Sequence, residues 1–159
     1  MLAIPYAFKS WKKVVLLATA FTLGHSLTLA LSALKLISVN AQIIEILIAV
    51  TILITAVLNL RNKEESKMSL RYLMAVIFGL IHGLGFSNFF KSIVGPDAIT
   101  VPLLAFNIGV ELAQVIIVLM VLVASWILVE KLKIKHKYLI YAVSIIVAVM
   151  SLSMVIERI

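Results

Sequence analysis

The chain has 159 residues, of which 64% are hydrophobic and 13% charged, where an ordinary soluble domain carries about 25% charged residues. That balance excludes a soluble globular domain, and no polar stretch is long enough to fold as one beside the apolar runs, so residues 1–159 read as a single transmembrane unit. Cysteine is absent, which rules out disulfides, thiolate metal ligands and a cysteine nucleophile, and the net charge of +7 does not point to nucleic acid because the basic residues lie between apolar spans.

Crossing a bilayer core takes about 20 apolar residues in a helix. Five runs qualify, at residues 14–34, 43–60, 72–90, 101–129 and 138–156. The expected fold is an all-α, polytopic transmembrane helix bundle of about five spans. Residues 1–8 are nearly all apolar and read as the tail of a preceding span. A secretory signal is the rival reading of this start, but the first run exceeds the usual apolar core of about 7–15 residues and carries a histidine cluster.

That cluster is Thr22-Leu23-Gly24-His25-Ser26-Leu27-Thr28. His25, Thr28 and Ser32 share one helical face, with Thr22 and Ser26 flanking it. The second span carries a Thr51, Thr55 and Asn59 stripe, which reads as packing through hydroxyl hydrogen bonds. In the third, Gly79-Leu80-Ile81-His82-Gly83-Leu84-Gly85 sets a small-xxx-small pair, Gly79 and Gly83, beside His82, and Gly85 follows. Such glycines admit a neighbouring helix closely, or let a helix open its carbonyls to a cation. The fourth span, the longest and expected to tilt or bend, places Asn107, Glu111 and Gln114 at i, i+4 and i+7 in one narrow stripe. His136, among Lys133, Lys135 and Lys137, reads as a solvated loop residue.

The cations sort by side. Lys9, Lys12, Lys13, Arg61, Lys63, Lys67, Arg71, Lys131, Lys133, Lys135 and Lys137 fall at one set of alternating ends, and Lys35, Lys91 and Arg158 at the other. This bias predicts a multi-pass protein of the inner (plasma) membrane with a cytoplasmic amino terminus and an external carboxyl terminus.

His25 is the twelfth residue of its span from the cytoplasmic side and His82 the eleventh of its own, while Glu111 is the eleventh from the external side. At a rise of about 1.5 Å per residue, all three lie roughly 15 Å deep, near the midplane of a core about 30 Å thick. Polar and ionisable groups at that depth are costly unless paired or wetted, which marks them as functional candidates. Singly, an intramembrane histidine is more often an interhelical hydrogen-bonding group. Two histidines, a carboxylate and two amides at one depth on three helices favour a shared site.

Imidazole nitrogen with carboxylate and amide oxygen suits nickel, cobalt or zinc, whereas calcium and magnesium prefer an all-oxygen shell. The expected metal shell is His25, His82, Glu111 and Asn107, supported by Gln114, Ser26, Thr28 and Thr22. Two histidines and a glutamate also resemble a catalytic zinc triad, but there is no HExxH and no soluble substrate cleft. A transport site without enzymatic activity fits better, with the metal ion as transported substrate, the lipid bilayer as surroundings and no permanently bound cofactor. Metal arrival at Glu111 can displace a proton and so couple the two. One rival is a b-type haem protein with His25 and His82 as axial ligands and the glycines around His82 making room for the macrocycle. Another is a structural or assembly subunit whose polar clusters are interhelical glue.

Three stretches together resemble the HupE/UreJ family of hydrogenase and urease accessory membrane proteins, regarded as nickel and sometimes cobalt permeases. They are Thr19-Ala20-Phe21-Thr22-Leu23-Gly24-His25-Ser26-Leu27-Thr28-Leu29-Ala30, Phe78-Gly79-Leu80-Ile81-His82-Gly83-Leu84-Gly85-Phe86 and Phe106-Asn107-Ile108-Gly109-Val110-Glu111-Leu112-Ala113-Gln114. The resemblance implies site roles for His25, Ser26, Thr28, His82, Asn107, Glu111 and Gln114, and ranks nickel first among the metals. Members usually begin with a helix carrying a His and then an Asp-His pair, which this chain lacks, and often have Gly where Ala113 stands. The chain is therefore expected to be a fragment, a start-site artefact, or a short form completed by another subunit. Five helices are few for alternating access, which leaves a homo-oligomer open.

Overall fold

The computed structural model describes residues 11–61, 68–94 and 99–158. The apolar run at residues 1–8 and the cations Lys9, Lys63 and Lys67 lie outside them. Five helices long and apolar enough to cross a membrane account for the described chain: α1 Trp11–Ala33, α2 Ala41–Leu60, α3 Met68–Ile93, α4 Thr100–Trp126 and α5 His136–Ile156. The expected all-α bundle of five spans is the observed one. Helices are the outcome because a segment in hydrocarbon must satisfy every N–H and C=O within itself.

The ends follow local chemistry. α1 stops where Lys35 takes the left-handed conformation at φ 60°. The Leu36 N–H then bonds the Leu31 carbonyl at 2.9 Å and the Lys35 N–H the Ser32 carbonyl at 3.0 Å, closing carbonyls that the helix leaves open. Asn40 caps α2, its side-chain oxygen accepting from the Gln42 N–H at 2.8 Å. Pro102 falls in the first turn of α4, where a missing N–H costs nothing. At its other end α4 runs into a π-helical turn, Ile127–Lys131, so the fourth span departs from a regular α-helix by widening its last turn. His136 corrects an expectation: it is the first residue of α5 and half-buried, because the helix starts earlier than the apolar run.

The helices pack in the order α4, α1, α3, α2, α5. Contact register gives their directions. Along α1 and α3, Gly79 meets the backbone of Phe21, Gly83 that of His25, and the Lys91 ammonium donates to Ser32 Oγ at 3.1 Å, so both numbers rise together and the helices are parallel. Between α1 and α4, Thr22 pairs with Gln114 and Ser26 with Asn107, which is antiparallel. α2 and α5 are antiparallel too, since Ser151 Oγ donates to the Ala49 carbonyl while Arg158 Nε binds Glu45 Oε2 at 2.7 Å. This is the alternation that successive crossings require. It collects Lys12, Lys13, Arg61, Arg71, Lys131, Lys133, Lys135 and Lys137 at one end, here the basic end, and Lys35, Lys91 and Arg158 at the other.

Candidate functional site

The site begins at three glycines. An added Cβ on Gly24 would collide with the Val76 carbonyl, on Gly79 with the Phe21 carbonyl, and on Gly83 with the His25 carbonyl and the Thr28 hydroxyl. Hydrogen at these positions lets the α1 and α3 backbones touch, the arrangement that small residues permit between membrane helices. Thr28 stitches the contact, its hydroxyl donating to the Leu80 carbonyl of α3 at 2.7 Å. Gly85 faces α2 instead, against Ile48 and Ile44.

This close approach brings His25 and His82 to the same aromatic ring. Phe21 stacks on His25 with centroids 6.2 Å apart and meets His82 edge-on at 5.2 Å. His25 is 1% exposed, and neither ring nitrogen has a hydrogen-bond partner among the described residues. An unsatisfied buried polar group costs about 1–3 kcal/mol. His82 differs: its Nδ1–H donates to the Phe78 carbonyl at 2.8 Å. Since a carbonyl only accepts, Nδ1 carries the hydrogen, and in the neutral ring Nε2 holds the lone pair. A backbone carbonyl that fixes the imidazole tautomer in this way is the usual support of a metal-ligating histidine.

His82 lines a cavity of about 300 Å³. Val14, Leu17 and Phe21 of α1, Thr51 and Thr55 of α2, Ala75 and Phe78 of α3, and Gln114 of α4 also line it. His82 itself stands at mid-depth, and the α1 and α2 residues of the lining lie in the half of the bundle nearer the basic end. Thr51 and Thr55 thus do more than pack. Their hydroxyls donate within α2, to the Ile48 carbonyl at 2.7 Å and the Thr51 carbonyl at 2.9 Å, while their side chains form part of the cavity wall.

α4 brings its stripe to α1. Thr22 Oγ1 donates to Gln114 Oε1 at 2.9 Å and Ser26 Oγ to Asn107 Oδ1 at 3.0 Å. Glu111 lies between these pairs along α4 and lines a second cavity of about 180 Å³ with Thr19, Thr22 and Gln114. Gln114 borders both cavities. The Glu111 side chain is otherwise exposed, and among the described residues no three His, Asp or Glu side chains are gathered closely enough to hold a metal ion. The single shell expected from His25, His82, Glu111 and Asn107 is therefore not what the described residues form. The two histidines flank Phe21 between α1 and α3, Asn107 is engaged by Ser26, and Glu111 stands on the flank of α4. Equal depth fixes height in the membrane, whereas convergence also depends on where each helix is placed and how it is turned.

Phe21 and the Thr51–Thr55 wall had no part in the expected site. A signal for Phe21 existed, since it precedes His25 by four residues and so shares its face. The glycine contacts also bear on the haem reading. The room that Gly79 and Gly83 were expected to leave for a macrocycle is taken by the backbone of α1 at Phe21 and His25.

No functionally described protein and no solved structure matched the chain. A family model described as HupE / UreJ protein matches residues 1–158. The chain belongs to the HupE/UreJ family, multi-pass membrane proteins with a metal-related function.

Proposed function

We propose that the protein moves a divalent transition-metal ion, nickel ahead of cobalt, across the inner membrane, with His25 and His82 as its imidazole ligands. One observation carries this reading: a buried imidazole with both nitrogens unpaired shares a phenyl ring with a second imidazole whose tautomer is set by a backbone carbonyl. Borderline divalent ions favour such nitrogen donors. Glu111 supplies the negative charge on the α4 flank and exchanges metal for a proton, while Gln114, shared by the two cavities, passes the ion between the carboxylate and the histidines. Asn107 holds α4 on α1 through Ser26 and joins the shell only when that bond opens. No catalytic residue is assigned and no cofactor is retained. The cation bias supports a cytoplasmic basic end, and with it a cytoplasmic amino terminus.

Uptake of nickel, cobalt and zinc in competition, by purified protein in liposomes, tests the reading. It predicts saturable uptake with nickel and cobalt competing for one route. Equal, unsaturable leakage of all three metals would refute it.

A further inference from the structure

The two histidines differ in access. His82 and Phe21 line the 300 Å³ cavity on the basic side, and His25 does not. His25 is enclosed instead, with Phe21 stacked on one side at 6.2 Å and Phe86 edge-on at 5.5 Å. Among the described residues Phe21 alone both borders the cavity and stacks on the buried imidazole. Beyond Phe86 an aromatic cluster follows, in which Phe86 meets Phe106 at 6.1 Å and Phe90 meets Phe106 at 5.5 Å, and the polar groups at this level, Ser26 with Asn107 and Ser32 with Lys91, are hydrogen-bonded to each other. Leu29, Ala33 and Phe90 form a buried core there, with Val94, Ile99, Leu103 and Phe106 against it. Apolar, well-packed regions of this kind stay dry and stop ions by excluding their water.

We propose that Phe21 is a gate between two imidazole stations, an accessible one at His82 reached from the basic side and an occluded one at His25, with the Phe86–Phe106–Phe90 cluster sealing the opposite side. The gate deepens the transport reading and rests on it. The cation would bind His82 Nε2 from the cavity, and rotation of the Phe21 side chain would then expose the unpaired nitrogens of His25. The step is assigned to a single benzyl group because the α1 and α3 backbones on either side are in direct contact through their glycines. In this proposal the structure represents the state open to the basic side, because His82 lines the cavity and His25 does not.

The absence of cysteine makes the test direct, since any introduced thiol is the sole target. His82→Cys and His25→Cys proteins in liposomes are treated, without metal, with a membrane-impermeant cationic methanethiosulfonate applied to one face at a time. The gate predicts that His82→Cys is labelled from the basic face and that His25→Cys is labelled about tenfold more slowly or less, since the reagent reacts only with the open population. Adding Phe21→Ala should bring the His25→Cys rate to within about threefold of the His82→Cys rate. Phe21→Met, which keeps an apolar side chain of similar reach, should accelerate it by a smaller factor and covers the case in which Phe21→Ala unfolds. An unchanged His82→Cys rate in the Phe21 variants shows that the cavity has kept its shape.

Equal labelling of both thiols with Phe21 present would overturn the gate. So would labelling of His25→Cys from the opposite face, or Phe21 variants that leave its rate unchanged. Because these rates are read without metal, absent metal uptake beside the predicted rates refutes transport and spares the gate. Normal uptake beside flat rates does the reverse.

Discussion

Gly83 lies against the main-chain carbonyl of His25, with the Thr28 hydroxyl crowding the same spot, so a methyl group there has no room. The colliding atom on the α1 backbone cannot rotate away, and the two helices must separate. Gly83→Ala is expected to cost about 1–3 kcal/mol, more if the Thr28 bond to Leu80 is also lost. Gly109 supplies the contrast, because nothing stands near its Cβ position. Gly109→Ala should stabilise by up to about 1 kcal/mol through helix propensity alone. Reversible denaturation in mixed micelles measures both, and equal effects of the two substitutions would show that the α1–α3 contact is not close.

The Thr22 to Gln114 bond at 2.9 Å joins α1 to α4. Interhelical hydrogen bonds in membranes average about 0.6 kcal/mol and reach about 1.7. A double-mutant cycle with Thr22→Val and Gln114→Leu should give a coupling in that range. The same cycle on Thr22 and Glu111 should give a smaller value, because Glu111 borders the same cavity without a hydrogen bond to Thr22.

Substitution at the histidines and at Glu111 should separate by phenotype. His82→Ala and His25→Ala are expected to abolish metal uptake while leaving insertion and expression intact, since each removes a nitrogen ligand. Glu111→Gln keeps shape and removes charge, so it should lower uptake and flatten its dependence on pH. Radiometal uptake across a pH series is the measurement, and wild-type behaviour of Glu111→Gln would remove the carboxylate from the pathway.

The Glu45–Arg158 pair at the end opposite the basic one is a surface interaction, with side chains 51% and 29% exposed. Water screens such charges, so Glu45→Gln should cost less than about 1 kcal/mol. The loss should shrink further as salt rises. A large, salt-independent effect on denaturation would mean that this end is far drier than its exposure implies.

Hydropathy made the five helices legible, because a long apolar run has one solution in a bilayer. Ends were less so: α3 runs from Met68 to Ile93, beyond the apolar stretch at both ends, because helical hydrogen bonding continues past the hydrocarbon boundary. His25, His82 and Glu111 were visible as costly residues at one depth. Their grouping was not visible, since a depth count along each helix says nothing of which helices adjoin or how they are turned. Glu111 shows this most clearly, at the same depth as the histidines yet on the outer flank of α4. Phe21 was hidden for another reason. An apolar residue in an apolar helix carries no cost, and only its contacts with two imidazoles set it apart.

Composition and periodicity by themselves determined that this is an all-α membrane protein of five spans, with cations collected at one end and polar residues held near mid-depth. These are properties of single helices against a solvent slab, and each segment expresses them alone. Only the tertiary structure decided that α1 and α3 touch through glycine, that Phe21 contacts both a cavity-lining histidine and a buried one, and that α4 carries Glu111 at the margin. Those outcomes depend on shape complementarity between helices distant in sequence, which local hydrophobicity does not encode.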